Sequence, residues 1–104
     1  MQIQINTDDN IASSEALTAQ VSTTVENALS RVSDHVTRVE VHLSDENGDK
    51  GGQNDKRCMI EARLEGRQPI AVTDHAATVD KAVHDAAHKL ARLIESTVER
   101  MHHH

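Results

Sequence analysis

Asp74-His75-Ala76-Ala77-Thr78-Val79-Asp80-Lys81-Ala82-Val83-His84-Asp85-Ala86-Ala87-His88-Lys89-Leu90-Ala91-Arg92-Leu93 is the stretch whose reading decides the fold. Just ahead of it, Pro69 opens a short strand that runs through Val72, and a proline suits a strand start or a sheet edge because it has no N–H to donate. Thr73 or Asp74 is then the expected cap of a helix. Val79, Val83, Ala86, Leu90, Leu93, Ile94, Thr97 and Met101 recur along one face, while Lys81, Asp85, His88, Arg92 and Glu99 fall opposite. Apolar and polar residues segregated at this spacing specify an amphipathic helix that buries one stripe. The chain therefore closes on a strand followed by a helix.

Working back from that junction, Gly66 to Gln68 forms a tight turn, and Cys58, Ile60, Ala62 and Leu64 alternate with Met59, Glu61, Arg63 and Glu65 as a strand. Val39, Val41 and Leu43 alternate with Arg38, Glu40 and His42 as another. The polar, glycine-rich run from Ser44 to Asp55 joins these two as a mobile hairpin loop. Near the N-terminus, Gln2 to Asn6 alternates as a first strand, and Ser13 or Ser14 caps a helix carrying Leu17, Val21, Val25, Ala28, Leu29 and Val32, with its end near Asp34. The order is β-α-β-β-β-α. Each strand has one apolar face, so an α+β fold follows: a four-stranded sheet with both helices on one side. The βαβ crossover makes the first two strands parallel, and hairpins make the rest antiparallel.

Composition narrows the function. With 104 residues, the chain is read as a single domain over residues 1–101; His102 to His104 have the form of a purification-tag remnant and carry no functional weight. Trp, Tyr and Phe are all absent. The core must then be aliphatic, and RNA-recognition sheets or single-strand-binding barrels that stack bases on rings are excluded. One cysteine, no signal-like N-terminus and no long apolar run lead to the expectation of a soluble cytoplasmic protein with no membrane partner. Net charge is −6, but unevenly placed. Residues 1–55 hold ten acids against Arg31, Arg38 and Lys50, whereas residues 56–104 hold seven acids against eight lysines and arginines. A surface that meets a polyanion should come from the second half.

Three constellations invite a chemical reading and fail it. His84 and His88 flank Asp85 with the spacing of a zinc-binding helix, but an Asp stands where the catalytic Glu is needed, and His35, His42 or His75 would have to supply a third ligand. Asp45-Glu46-Asn47-Gly48-Asp49 begins like a calcium loop, yet Lys50 and Lys56 occupy its sixth and twelfth positions, which require Gly and Glu. Cys58 falls on the apolar side of its strand and reads as a small hydrophobe. No catalytic residue, metal, cofactor or small-molecule substrate is therefore expected. What remains is basic: Lys56, Arg57, Arg63 and Arg67 on the third strand and its turn, with Lys81, Lys89 and Arg92 on the last helix. Such side chains can grip phosphates of structured RNA without stacking. Asp80, Asp85, Glu95 and Glu99 are interleaved among them, as on an ordinary solvated helix.

The element order, together with Gly66, Ile70-Ala71-Val72 and Asp74-His75-Ala76-Ala77-Thr78-Val79-Asp80, resembles the ribosome hibernation-promoting factor and ribosome-associated inhibitor family. Val39-Glu40-Val41-His42-Leu43 is similar to that family's second strand. Ala76 stands where the family usually has Tyr, and His84-Asp85 where it has Asp-Lys, while Lys89-Leu90 and Arg92 keep basic character. The resemblance implies a double-stranded-RNA-binding-domain-like fold in a short form without the separate domain that pairs ribosomes. It implies a stress or hibernation factor that binds small-subunit rRNA and blocks the mRNA and tRNA path, inhibiting translation. The seven basic residues above would make the RNA contacts. The alternative is a protein-interaction module on the same fold that has lost rRNA binding, which the acidic first half and Asp85 suggest.

Overall fold

The computed structural model describes residues 1–46 and 55–102, arranged as β1 (Gln2–Thr7), α1 (Glu15–Ala28), a 3-10 helix (Ser30–His35), β2 (Val36–Asp45), β3 (Lys56–Leu64), β4 (Ile70–Ala76) and α2 (Val79–His102). The four strands form one sheet in the order β1-β2-β3-β4. β1 runs parallel to β2, while β2–β3 and β3–β4 are antiparallel. The expected α+β architecture is thus present, in the expected order.

Alternation along the strands sends one set of side chains to the helices and the other to the outer face. Val39, Val41, Leu43, Cys58, Ile60, Ala62 and Val72 lie inward and are buried. α1 contributes Val21 and Val25 to this layer, and α2 contributes Ala82, Val83, Ala86, Ala87, Leu90, Ala91 and Ile94. With no ring in the core, volume is filled by branched aliphatics, and the alanines let the α2 backbone approach the sheet closely. Leu93, which periodicity assigns to the apolar stripe, is 41% exposed. Ala86, Ala87, Leu90 and Ala91 centre the buried stripe on the other side of it, so Leu93 sits at the margin.

Two element ends differ from expectation. α1 stops at Ala28 instead of reaching Asp34, and the chain tightens into the 3-10 helix. There the Ser33 hydroxyl donates to the Ser30 carbonyl, taking an acceptor that a continuing α-helix would use. β4 runs to Ala76, four residues past Val72, because its pairing with β3 continues through Asp74 and Ala76 opposite Cys58 and Lys56. The cap of α2 is accordingly Thr78, neither Thr73 nor Asp74: its Oγ1 accepts from the Lys81 N–H at 3.2 Å. At the other helix Ser14 is the cap, accepting from Leu17 N at 3.0 Å.

The turn at Gly66 needs glycine, since its φ of 71° lies in the left-handed region. The hairpin loop expected between Ser44 and Asp55 lies mostly at residues 47–54, outside the described residues. Its base is tightly held. Asp8 accepts from the backbone N–H groups of Asn10 and Asp45, and the Asn10 side chain donates to the Asp45 carbonyl. Among the described residues, no helix is long and apolar enough to cross a membrane.

Candidate nucleic-acid interface

β3 places its basic residues on two different faces. Arg57 and Arg63 alternate with buried Cys58, Ile60 and Ala62, so they project from the outer face of the sheet, away from both helices. Arg57 lies 3.7 Å from Glu46, which also meets His75 at 3.1 Å. Arg63 lies 3.9 Å from Glu61 of its own strand. The outer face sets like charges opposite one another across β2 and β3, Arg38 against Arg63 and Glu40 against Glu61, and each arginine turns to the acid two residues along its strand. That arrangement removes the repulsion of directly opposed like charges.

Lys56 occupies an inward register position at the hairpin base. Its Nζ is 2.7 Å from Asp45 and 3.7 Å from Asp55, both buried carboxylates. The hydrogen bond it donates to Asp45 is the main reason its pKa is raised above the usual lysine value, and burial opposes it. Lys56 offsets part of the charge of two buried acids, whose burial would otherwise be costly.

α2 distributes its cations along the helix. Near its start, Lys81 meets Asp85 one turn on at 3.2 Å, and His84 Nδ1 meets the other Asp85 oxygen at 3.3 Å. His84 and then Lys81 hold the Asp85 carboxyl below the usual carboxylate range. Lys89 reaches back to β4, donating to the Thr73 carbonyl at 3.3 Å and lying 3.4 Å from Asp74. Asp74, expected to cap the helix, instead anchors it from the adjoining strand. Arg92 is exposed and has no ion pair among the described residues, and the same is true of Arg67 in the β3–β4 turn.

Five of the seven predicted residues, Lys56, Arg57, Arg63, Lys81 and Lys89, thus hold acids of their own chain. Arg92 belongs to a feature that residue-type counting missed. An open groove of about 420 Å³ runs between the two helices, with Asn27, Ser30 and Arg31 on one wall and His88, Arg92 and Glu95 on the other. Arg31 follows the end of α1 and also lacks an ion pair among the described residues. The signal was present in sequence: His84, His88 and Arg92 recur every four residues, one stripe along a helix. Arg31 gave no such signal, because only the packing of α1 on α2 brings it across. Arg67 lines a second open groove of about 630 Å³ with Gln68, Ile70, Thr97 and Arg100.

The histidine pair is exposed, with ring centroids 4.3 Å apart. No group of three or more His, Cys, Asp or Glu side chains is placed to hold a metal among the described residues, so neither His35, His42 nor His75 joins the pair. Cys58 is fully buried, and burial first, then the Asp74 charge, pushes its thiol up to about 12. It remains a protonated hydrophobe at neutral pH.

The order β-α-β-β-β-α, with both helices against one face of a four-stranded sheet, defines an α+β unit. Residues 3–102 match the family described as sigma 54 modulation protein / S30EA ribosomal protein, and the chain belongs to that family. The family is one of ribosome-associated factors and is not known as a family of enzymes. The N-terminal domain of Protein Y from Thermus thermophilus superposes with a TM-score of 0.75 at 22% identity, covering 93% of this chain and 99% of that one. A ribosomal subunit interface protein from Coxiella burnetii superposes with a TM-score of 0.77 at 16% identity, covering 95% and 99%. At these identities the likeness is one of fold. No curated protein sequence matches this chain significantly.

Proposed function

We propose that this protein is a non-enzymatic, cytoplasmic hibernation-type factor that binds the small ribosomal subunit through backbone phosphates of its rRNA and occupies the path of mRNA and tRNA. The observation that carries this reading, beside family membership, is that Arg31, Arg67 and Arg92 have no ion pair among the described residues, in a protein whose net charge is −6. An acidic protein gains nothing from long-range attraction to a polyanion, so attachment must rest on a few local contacts. The helix side and the β3–β4 turn supply them. Of the seven predicted residues, Arg67 and Arg92 contact phosphate directly, Lys81 and Lys89 do so by exchanging their internal acids, and Lys56, Arg57 and Arg63 contribute least.

Co-sedimentation with purified small subunits tests this. Binding should weaken as salt rises, with a log–log slope of roughly −3 for about four phosphate contacts. Failure to sediment with small subunits at low salt overturns the proposal. The pairing of five predicted cations with internal acids favours a second reading, a protein-interaction module on the same fold. Recovery of a protein partner without ribosomal RNA would select it.

A further inference from the structure

The groove between the helices has a charge balance that one side chain controls. Its titratable and charged lining consists of Arg31 from the α1 side and His88, Arg92 and Glu95 from α2. Among the described residues, the α1 side brings no acid to this lining. With His88 neutral, two guanidiniums face one carboxylate, an excess of one positive charge. Protonating His88 doubles that excess.

The neighbours of His88 sort into two groups. The His84 ring lies beside it, centroids 4.3 Å apart and tilted by 48°, but is turned to Asp85, and Asp85 is also held by Lys81. The nearest acid on the N-terminal side is therefore committed away from the groove. The charged groups that line the groove with His88 are Arg31, Arg92 and Glu95. An anion lodged between the arginines and a proton on His88 would each favour the other, since opposite charges attract. Histidine is the side chain whose charge changes between pH 5 and 8.

We propose that the Arg31–His88–Arg92 groove clamps one RNA backbone phosphodiester between the two helices, and that protonation of His88 gates the clamp so that attachment strengthens as pH falls. The guanidinium forks approach from opposite walls and suit the two non-bridging oxygens of a phosphodiester. Ser30 and Asn27 stand on the Arg31 wall as neutral donors. No bond is made or broken, and binding takes up a proton at His88. The proposal rests on the ribosome-binding reading for the identity of the RNA, but the groove can be tested apart from it.

Two experiments on the full chain separate the possibilities. In the first, sedimentation with purified small subunits at about pH 6 and pH 8 compares wild type, H88Q and H88K at fixed salt. Wild type should bind about three- to fivefold more tightly at the lower pH, beyond any change that H88Q retains, as expected for one added surface ion pair. H88Q should bind weakly at both values and H88K tightly at both. Subtracting the H88Q profile removes the other seven histidines, including those at the C-terminus. A wild-type pH profile equal to that of H88Q overturns the gate.

In the second, NMR follows the His88 ring and the Arg31 and Arg92 side chains during titration with dimethyl phosphate, a diester of constant charge over this range. Saturable shifts at all three, lost in R31Q, are expected. Their absence overturns the clamp even if the protein sediments with ribosomes. Shifts without sedimentation would leave the clamp standing and remove the ribosomal assignment.

Discussion

β3 and α2 each contribute three of the predicted cations, and each buries one face in the same aliphatic layer, yet the two elements use their charges differently. On β3, Lys56, Arg57 and Arg63 all meet internal acids, and only Lys56 faces the helix layer. On α2, Lys81 and Lys89 are paired, while Arg92 opens into a groove with Arg31 opposite. A basic residue on a strand between two acidic neighbours is neutralised by its own sheet. One on a helix margin is free to meet whatever docks there.

If the two elements differ only in what their cations hold, removing the apolar anchor of either should do equal harm. Ile60→Ala on β3 and Leu90→Ala on α2, both fully buried, should each cost about 3 kcal/mol, read from urea unfolding followed by circular dichroism. A cost confined to one of them would show that the other element is poorly fixed, and the comparison would fail. Next in size, R31Q combined with R92Q should weaken small-subunit binding about tenfold, whereas R57Q combined with R63Q should change it less than about twofold. Equal losses would place the interface across both faces of the sheet.

A smaller effect comes from Asp85. D85N frees Lys81 and should strengthen subunit binding by about twofold, at a modest loss of stability near neutral pH. The sign follows from its lowered pKa. The carboxylate stabilises the fold above the ordinary carboxylate range, and that contribution fades as pH falls through its depressed value in the native state. Lys56 behaves in the opposite sense: its raised pKa means its contribution is complete below the ordinary lysine value and is lost as pH rises beyond it. Smallest of all, iodoacetamide at about pH 8 should leave Cys58 unmodified in the folded protein and react only under denaturing conditions. Ready alkylation would mean that β3 opens from the layer far more often than α2 docked against it allows.

The fold was legible because it is written in periodicity. Period-two runs at Val39 to Leu43 and Cys58 to Leu64, and the long helical stripe of α2, gave both the layers and their order. The family resemblance rested on the same elements. Boundaries were less legible where long-range pairing competes with local signals. Asp74 is a good helix cap in isolation, but β3 recruits it into the sheet and Lys89 then holds it there. The site was only half visible. The sequence shows which residues are basic, not which acids face them, and the partners of Arg57 and Lys56 come from across the hairpin. Arg31 and Arg92 lie sixty-one positions apart, and no local pattern links them.

A final consequence follows from Leu93, a large apolar side chain left partly uncovered next to Arg92. The protein has no native fluorophore, so it is dark in the near ultraviolet. A single tryptophan in place of Leu93 would be the only emitter in the chain, beside the groove rather than inside it. Its colour and quenching would report on anything that settles over the two helices, without labelling chemistry and against no background from the protein itself.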